Sequence, residues 1–527
     1  MPSKPKSIKK TKMKTSFLST INSNNKSKLS AGLVKAALGA FAIIFVVSCK
    51  VGEEYTRPDF GDDVSSEFYA GGEKEETLAV DSLNSNEVNN DTIPMSEIPW
   101  KDYITDRTLQ NLIDTALVNN IDLQKAMKNM EIGMEELAQS KANFFPSLNA
   151  RPAEYRRDYY SENFNNYGSN RARRNHGENP PESFYTERLE YASALQANWE
   201  IDVWGKLRWQ KEAARAQFMK SKEFKKAVQT SLISEVAATY FNLVMLKSQI
   251  EVAQKNYALS DSTLNIVQLQ YDAGESTSLA IQQTKSQKLK AKTLIPQLER
   301  QYVIMENKLN RLLGRSPREI QIDTDFEDIE FQERYTSGVP LELIKNRPDV
   351  AMSEYELITA NADAGVANAL RYPSLSIGAS AGLNSFKLEE FFDPVGSGFA
   401  LLNGAIFQPI FNNRKLKTNY NVALSQKEIA QLDFKDDLIT AIADVSNSLA
   451  KMEKLKEEFA IAQERIEVTQ KGLKDAGMLF KGGYANYLEV ISAQSDALES
   501  ELNLINIKNQ LLIANVELYR SLGGGWQ

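Results

Sequence analysis

The sequence predicts a mainly α-helical chain with a few membrane-crossing β-strands, laid out as two structural repeats. Three observations carry that prediction. Residues 195–203 alternate apolar Leu195, Ala197, Trp199, Ile201 and Val203 with polar Gln196, Asn198, Glu200 and Asp202, the period of a strand with one apolar and one wet face. The stretch that follows, Lys206 to Ala273, runs 68 residues without Gly or Pro and reads as one long helix. The chain also repeats itself. Asn119, Asp122, Ala142, Pro146, Ser147 and Leu148 return at an offset of 227 as Asn346, Asp349, Ala369, Pro373, Ser374 and Leu375. Gly274, Leu279, Arg311, Leu313 and Gly314 return at an offset of 209 as Gly483, Leu488, Arg520, Leu522 and Gly523. Ordered matches at fixed offsets argue duplication.

Each half has the same order of elements. A first helix is expected over 107–143 and again over 341–370. Two strands follow, between Pro146 and Trp204 and between Pro373 and Phe411. A long helix comes next, 206–272 and 412–480, and a second helix returns, 277–313 and 486–521. The long helix carries apolar pairs at helical spacing: Leu232/Ile233, Val236/Ala237, Tyr240/Phe241 and Leu243/Val244. At ~1.5 Å per residue it would reach roughly 100 Å. Pro296 lies inside the first return helix and should kink or interrupt it. Gly274 and the Gly482-Gly483 pair fall at the hairpin turns, where a helix end favours positive φ.

Alternation alone is a weak sign of a membrane strand, since any half-buried strand shows it. Counting sharpens it. Four strands per chain cannot close a barrel, for which about eight is the usual minimum. Open edges are not tolerated in lipid, so such a chain must oligomerise. Three chains in a closed ring would supply twelve strands, an even number in the usual range.

The N-terminus reads as an address. The first 48 residues hold nine Lys and no acid, and end in "AALGAFAIIFVVS", too short to span a bilayer comfortably. The lone Cys of the chain, Cys49, follows at once. The reading is a lipoprotein signal peptide over 1–48, cleaved before Cys49, whose thiol carries lipid such as palmitate. Met13 is a second candidate start. The alternative is a membrane anchor followed by a buried free Cys. Residues 49–99 are polar and acidic, a lipid-anchored linker.

The mature part holds 53 basic against 69 acidic groups, which excludes a general nucleic-acid binder. One Cys and one His (His176) exclude an internal disulfide and any two-His or Cys–His mechanism. No phosphate-loop, dinucleotide, H-E-x-x-H or G-x-S-x-G pattern occurs. No enzyme activity, cofactor or metal is expected. The long polar run 156–187 between the first two strands reads as an extracellular loop.

Several stretches resemble the TolC-like outer-membrane efflux factors of RND-type systems, in their lipoprotein branch. They are "CKVGEEYTRP" (49–58), "WKDYITDRTLQNLIDTALVNNIDL" (100–123), "WEIDVWGKLR" (199–208), "IPQLERQYVIMENKLNRLLGRSP" (295–317) and "NRPDVAMSEYELITANADAGVANALRYPSLSIGAS" (346–380). The resemblance covers about 49–523 and implies a homotrimer. Its twelve-stranded outer-membrane β-barrel continues into a twelve-helix periplasmic α-barrel. Domains follow as 100–314 for the first repeat, 315–340 for an equatorial linker, 341–523 for the second repeat and 524–527 for the tail. The implied location is the outer membrane of a Gram-negative bacterium. The implied role is a passive duct exporting small toxic compounds, docked on a periplasmic adaptor (membrane fusion) protein that links it to an inner-membrane pump.

The resemblance also assigns residues. The hairpin turns Gly274–Leu279 and Gly483–Leu488 would be the adaptor-docking tips. The family often narrows its pore with acids six and nine positions after the second turn glycine. Here those positions are Glu489, which fits, and Ser492, which does not; the first repeat has Ala280 and Gln283. A single Glu489 ring at the pore gate is expected, favouring cations. Competing readings are a duct for type I protein secretion, a helical surface lipoprotein binding carbohydrate, and the adaptor itself. The repeat offsets and the two long hairpins weigh against the last two.

Overall fold

The computed structural model describes residues 50–60, 98–161, 185–329 and 347–526. Cys49, the signal segment, most of the acidic linker, the tip of the 156–187 loop with His176, and 330–340 of the equatorial linker lie outside the described residues. In chain order the elements are α1 (Trp100–Tyr103), α2 (Arg107–Asn119), α3 (Ile121–Ala142), β1 (Ser147–Ser161), β2 (Tyr185–Ile201), α4 (Lys206–Asp272) and α5 (Ser278–Leu312). After a 3-10 turn (Phe326–Asp328) come α6 (Pro348–Ala369), β3 (Ser374–Ser385), α7 (Leu388–Phe391), α8 (Pro394–Ser397), β4 (Gly398–Phe407), α9 (Lys415–Lys481) and α10 (Tyr487–Ser521). The described residues pack as two compact units, 50–53, 142–161, 185–210 and 365–420 forming one, 54–60, 98–141, 211–329, 347–364 and 421–526 the other. Each unit draws on both halves of the sequence.

The first unit holds an antiparallel sheet in the order β1-β2-β3-β4. Its register sorts the side chains. Leu148, Ala197, Ala379 and Leu402 form one row across the four strands, and Asn149, Gln196, Ser380 and Leu401 the adjacent row. Successive residues face opposite ways, so the first row belongs to an apolar face and the second to the other face. β1 is irregular between Arg151 and Glu154, where Pro152 has no N–H for the ladder. Beyond it Tyr155 lies opposite Tyr191, ring centroids 5.4 Å apart.

At the end of β2 the chain from Lys50 to Gly52 is fastened down. Val51 N–H donates to the Trp204 carbonyl (3.1 Å) and Trp209 Nε1–H donates to the Val51 carbonyl (2.7 Å). The Lys50 ammonium sits 3.5 Å from the Trp209 ring centroid. Gly205, at φ +81, leaves room for this: a Cβ there would meet Lys50 at 3.0 Å. Neither these contacts nor the glycine's part in them was anticipated.

The second unit is helical. The apolar pairs at helical spacing in the long helix are all buried: Leu232, Ile233, Val236, Ala237, Tyr240, Phe241, Leu243 and Val244 join Leu109, Ile113, Leu309, Leu313, Leu511 and Leu518 in one cluster. A buried side chain of this size contributes about 1.5–3 kcal/mol. Tyr240 Oη donates to the Asp106 carboxylate (2.7 Å), and Asp106 also caps α2 through Thr108 and Leu109 N–H. Burial first, then the hydrogen bond to Asp106 and the charges of Asp106 and Asp323, push the Tyr240 hydroxyl well above the usual tyrosine range, against the Thr324 hydroxyl, which pulls it down.

Two local expectations need correction. The first helix is not continuous over 107–143. It breaks at Asn120, whose side chain accepts from Asp122 and Leu123 N–H (2.9 and 3.0 Å) and restarts the helix as its cap. Of the kink or interruption expected at Pro296, the interruption does not occur: α5 runs unbroken from Ser278 to Leu312. Pro296 has no N–H to offer the Lys292 carbonyl one turn back, and Lys292 is an exposed residue.

Candidate functional site

The two hairpin turns of the helical unit are built alike. At the end of α4, Gly274 N–H donates to the Tyr271 carbonyl (2.9 Å) and Glu275 N–H to that of Gln270 (2.8 Å). At the end of α9, Gly483 N–H donates to Phe480 (3.2 Å) and Tyr484 N–H to Leu479 (2.9 Å). This is the Schellman closure, with glycine in the left-handed position at φ +80 and +75. A Cβ on either glycine would meet nothing within 4 Å. Backbone conformation, and not crowding, calls for glycine there.

The return helices start differently. Thr277 caps α5 by accepting from Ala280 N–H (3.2 Å). Asn486 caps α10 in a full capping box: its Oδ1 accepts from Leu488 and Glu489 N–H (2.9 and 3.2 Å), and Glu489 Oε2 accepts from Asn486 N–H (3.2 Å). The Glu489 carboxylate is thus held in place by its own helix start, and it is exposed. The spacing Asn486-x-x-Glu489 carries this signal in the sequence, and the reading of Glu489 as a gate residue passed over it.

The structure brings the two turns together. Val267, Ala280, Phe480 and Val490 form a small buried core, with Ile266, Ile281, Ala485 and Tyr487 packed on it. Tyr487 Oη donates to Gln283 Oε1 (2.6 Å), and Gln494 Nε2 donates to Thr263 Oγ1 (2.7 Å). Lys288 pairs with Asp261, whose hydrogen bond pushes the amine's pKa up. Leu279 and Leu488 lie outside this core, 60% and 51% exposed, and Tyr484 of the second turn is 85% exposed. Ala280, the first-half counterpart of Glu489, is fully buried, so an acid in that position would face protein and not water. Ser492 is exposed. Tyr484, Asn486 and Tyr487 are the turn residues that sequence reasoning missed.

Among the described residues no group of three or more His, Cys, Asp or Glu is placed to hold a metal ion. Among the same residues no helix is long and apolar enough to cross a membrane.

The family model described as "Outer membrane efflux protein" matches residues 112–315 and 339–524. The chain belongs to the outer membrane efflux protein family. It is 26% identical over 446 residues to the cation efflux system protein CusC of Escherichia coli O6:H1, covering 85% of this chain and 92% of that one. It is 26% identical over 509 residues to the outer membrane protein OprJ of Pseudomonas aeruginosa, covering 93% and 97%. Among solved structures, the open-state MtrE outer membrane channel of Neisseria gonorrhoeae shares the fold with a TM-score of 0.76 at 24% identity, over 91% of this chain and 99% of that one. A CusC crystal structure gives 0.76 at 23% identity, over 90% and 100%. As a family member, this efflux protein is an outer-membrane transport component. The mainly helical architecture, with one four-stranded sheet among the described residues, is that of the family's channels.

Proposed function

We propose that three copies of this chain close a twelve-stranded barrel in the outer membrane and form the passive exit duct of a tripartite efflux system. The observation that carries the reading is the sheet. It ends in β1 on one side and β4 on the other, and its apolar face is continuous across all four strands. Lipid tolerates such a face but not two open edges, and closure by further copies removes both. Cys49 carries the lipid anchor, next to the fastened Lys50–Gly52 segment. The turns at Gly274–Leu279 and Gly483–Leu488 are the docking tips for a periplasmic adaptor, which joins the duct to an RND-type inner-membrane pump. The exposed Leu279, Tyr484 and Leu488 offer that partner apolar anchors. Three Glu489 carboxylates ring the gate. The relatives' names support small-molecule or cation export as the task.

Planar-bilayer recording tests the duct and its gate together. The full-length protein should give discrete conductance steps that favour cations. Glu489→Gln keeps an acceptor for the capping box and removes the charge, so it should weaken the cation preference with the helix start intact. Steps with unchanged selectivity would remove Glu489 from the gate, and the absence of steps would count against the duct.

A further inference from the structure

One strand of the polar face is out of character. On β1, β2 and β3 that face carries Asn149, Gln196, Asn198, Ser376 and Ser380. On β4 the same face carries Phe399, Leu401, Ala405 and Phe407, paired with Gly382, Ser380, Ser376 and Ser374. Leu401 is 61% and Phe407 67% exposed. Asn403 is the polar exception, and its side chain lies across Gly378, where a Cβ would meet Asn403 Oδ1 at 2.5 Å. The apolar row thus stands beside a row of glycine and serine on β3.

The row ends at a cavity. Phe407 forms part of the wall of a space of about 250 Å³ at the ends of β2, β3 and β4, together with Ile201, Trp204, Leu370, Tyr372 and Pro409. The Trp204 and Tyr372 rings are stacked with centroids 5.0 Å apart. The charges in the wall are matched. Lys206 Nζ donates to both oxygens of Glu200 (2.6 and 2.8 Å). Asp202 accepts from Leu207 and Arg208 N–H and from Arg208 Nε (3.0, 3.1 and 3.1 Å). A site with matched charges and aromatic walls selects for a neutral solute that can stack.

We propose that the β4 row and this cavity form a track that binds small neutral aromatic molecules on their way through the duct. The proposal rests on the barrel reading, in which the polar face lines the lumen, and it adds the solute class that the wall retains. Binding must be weak, since a conduit that holds its cargo tightly does not conduct.

The test uses the full-length protein in lipid nanodiscs, with 2-naphthol as probe and empty nanodiscs as blank. Saturation-transfer NMR reads binding, and native mass of the same samples reads the number of copies. The wild type should be trimeric and give a 2-naphthol signal above the blank. Leu401→Asn and Phe407→Asn should each lower that excess at least about threefold while remaining trimeric. 2-Naphthalenesulfonate, the same ring with a charge, should bind less. A trimeric wild type with no excess, variants with undiminished excess, or equal binding of the sulfonate would overturn the track and leave the duct standing. Loss of the trimer in both variants would make the row a contact between copies and overturn the track. A monomeric wild type would overturn the barrel reading and the track with it.

Discussion

The two halves of this chain solve the same structural problem with different residues. In the first half, Asn120 stands before α3, caps it, and donates from Nδ2 to the Leu312 carbonyl at the end of α5 (2.9 Å). In the second half the corresponding residue is Arg347, which stands before α6 and donates from Nη1 to the Ser521 carbonyl at the end of α10 (3.1 Å). Asn120 reaches one helix end. Arg347, 7% exposed, reaches further: the Ala441 carbonyl and the carboxylates of Asp349 and Asp444 as well. Helix ends leave carbonyls unpaired, and a guanidinium with five donors can serve several at once. The lesson is that the place to be filled is retained while the chemistry filling it changes. The turn glycines teach the converse. Gly274 and Gly483 have nearly the same φ, the same closure and the same empty surroundings.

Breaking the comparison should therefore give unequal effects. Arg347→Ala leaves two backbone carbonyls and two carboxylates without their donor, and should cost about 3 kcal/mol. Asn120→Ala removes a cap and one buried bond and should cost about 1–2 kcal/mol. Urea unfolding followed by helical circular dichroism reads both, and equal losses would contradict the asymmetry.

A second contrast lies among the glycines. Gly314 has φ +65 and closes α5 as Gly274 closes α4, but a Cβ there would meet the Asn119 carbonyl oxygen at 2.2 Å. Gly314→Ala should cost about 2–3 kcal/mol, through strain and overpacking together. Gly274→Ala and Gly483→Ala should cost about 1 kcal/mol each, through φ alone. The same unfolding measurement separates them.

Acid should act on the second half through Asp349. Burial pushes its carboxyl up, but the bonds and charge of Arg347 outweigh this and hold it below the usual carboxylate range. A carboxyl held low in the folded state adds stability that is complete above the unfolded value, about 3.9, and is lost as pH falls through the folded value. Arg347→Ala should remove this part of the acid sensitivity. An unchanged difference in stability between pH 6 and pH 3 would show that the pair has no such part.

The smallest effect is expected where strand meets long helix. The first half uses Gly205 there, at φ +81. The second has Asn413 and Arg414 at φ +53 and +67. Arg414→Gly should stabilise by about 0.5–1 kcal/mol, because the left-handed position then carries no side-chain strain.

Much of this was legible in the sequence, for physical reasons. A long span without Gly or Pro has little to stop a helix, and α4 ends within a residue of where composition says it must. Strict alternation identified β2, and the repeat offsets marked the turn glycines. What was not legible depends on partners distant in sequence, or on which of several local hydrogen bonds a side chain takes. The break at Asn120 reflects a side chain competing with the backbone for its own hydrogen bonds. The continuity of α5 through Pro296 depends on which face of the helix meets solvent. The apolar row on β4 is invisible until register assigns Phe399, Leu401 and Phe407 to the face that β1, β2 and β3 keep polar. Glu489 was read for its charge alone, although the spacing Asn486-x-x-Glu489 already carries the capping-box signal that the geometry bears out.

The central claim is that the open edges of the sheet are closed by further copies of the same chain. Native mass spectrometry of the gently detergent-extracted, full-length protein tests it most directly, with lipid adducts resolved. The account predicts three chains, each carrying a lipid adduct that Cys49→Ala removes. A stable, lipidated monomer would contradict it, because four strands with two free edges would then have survived in the membrane unpaired.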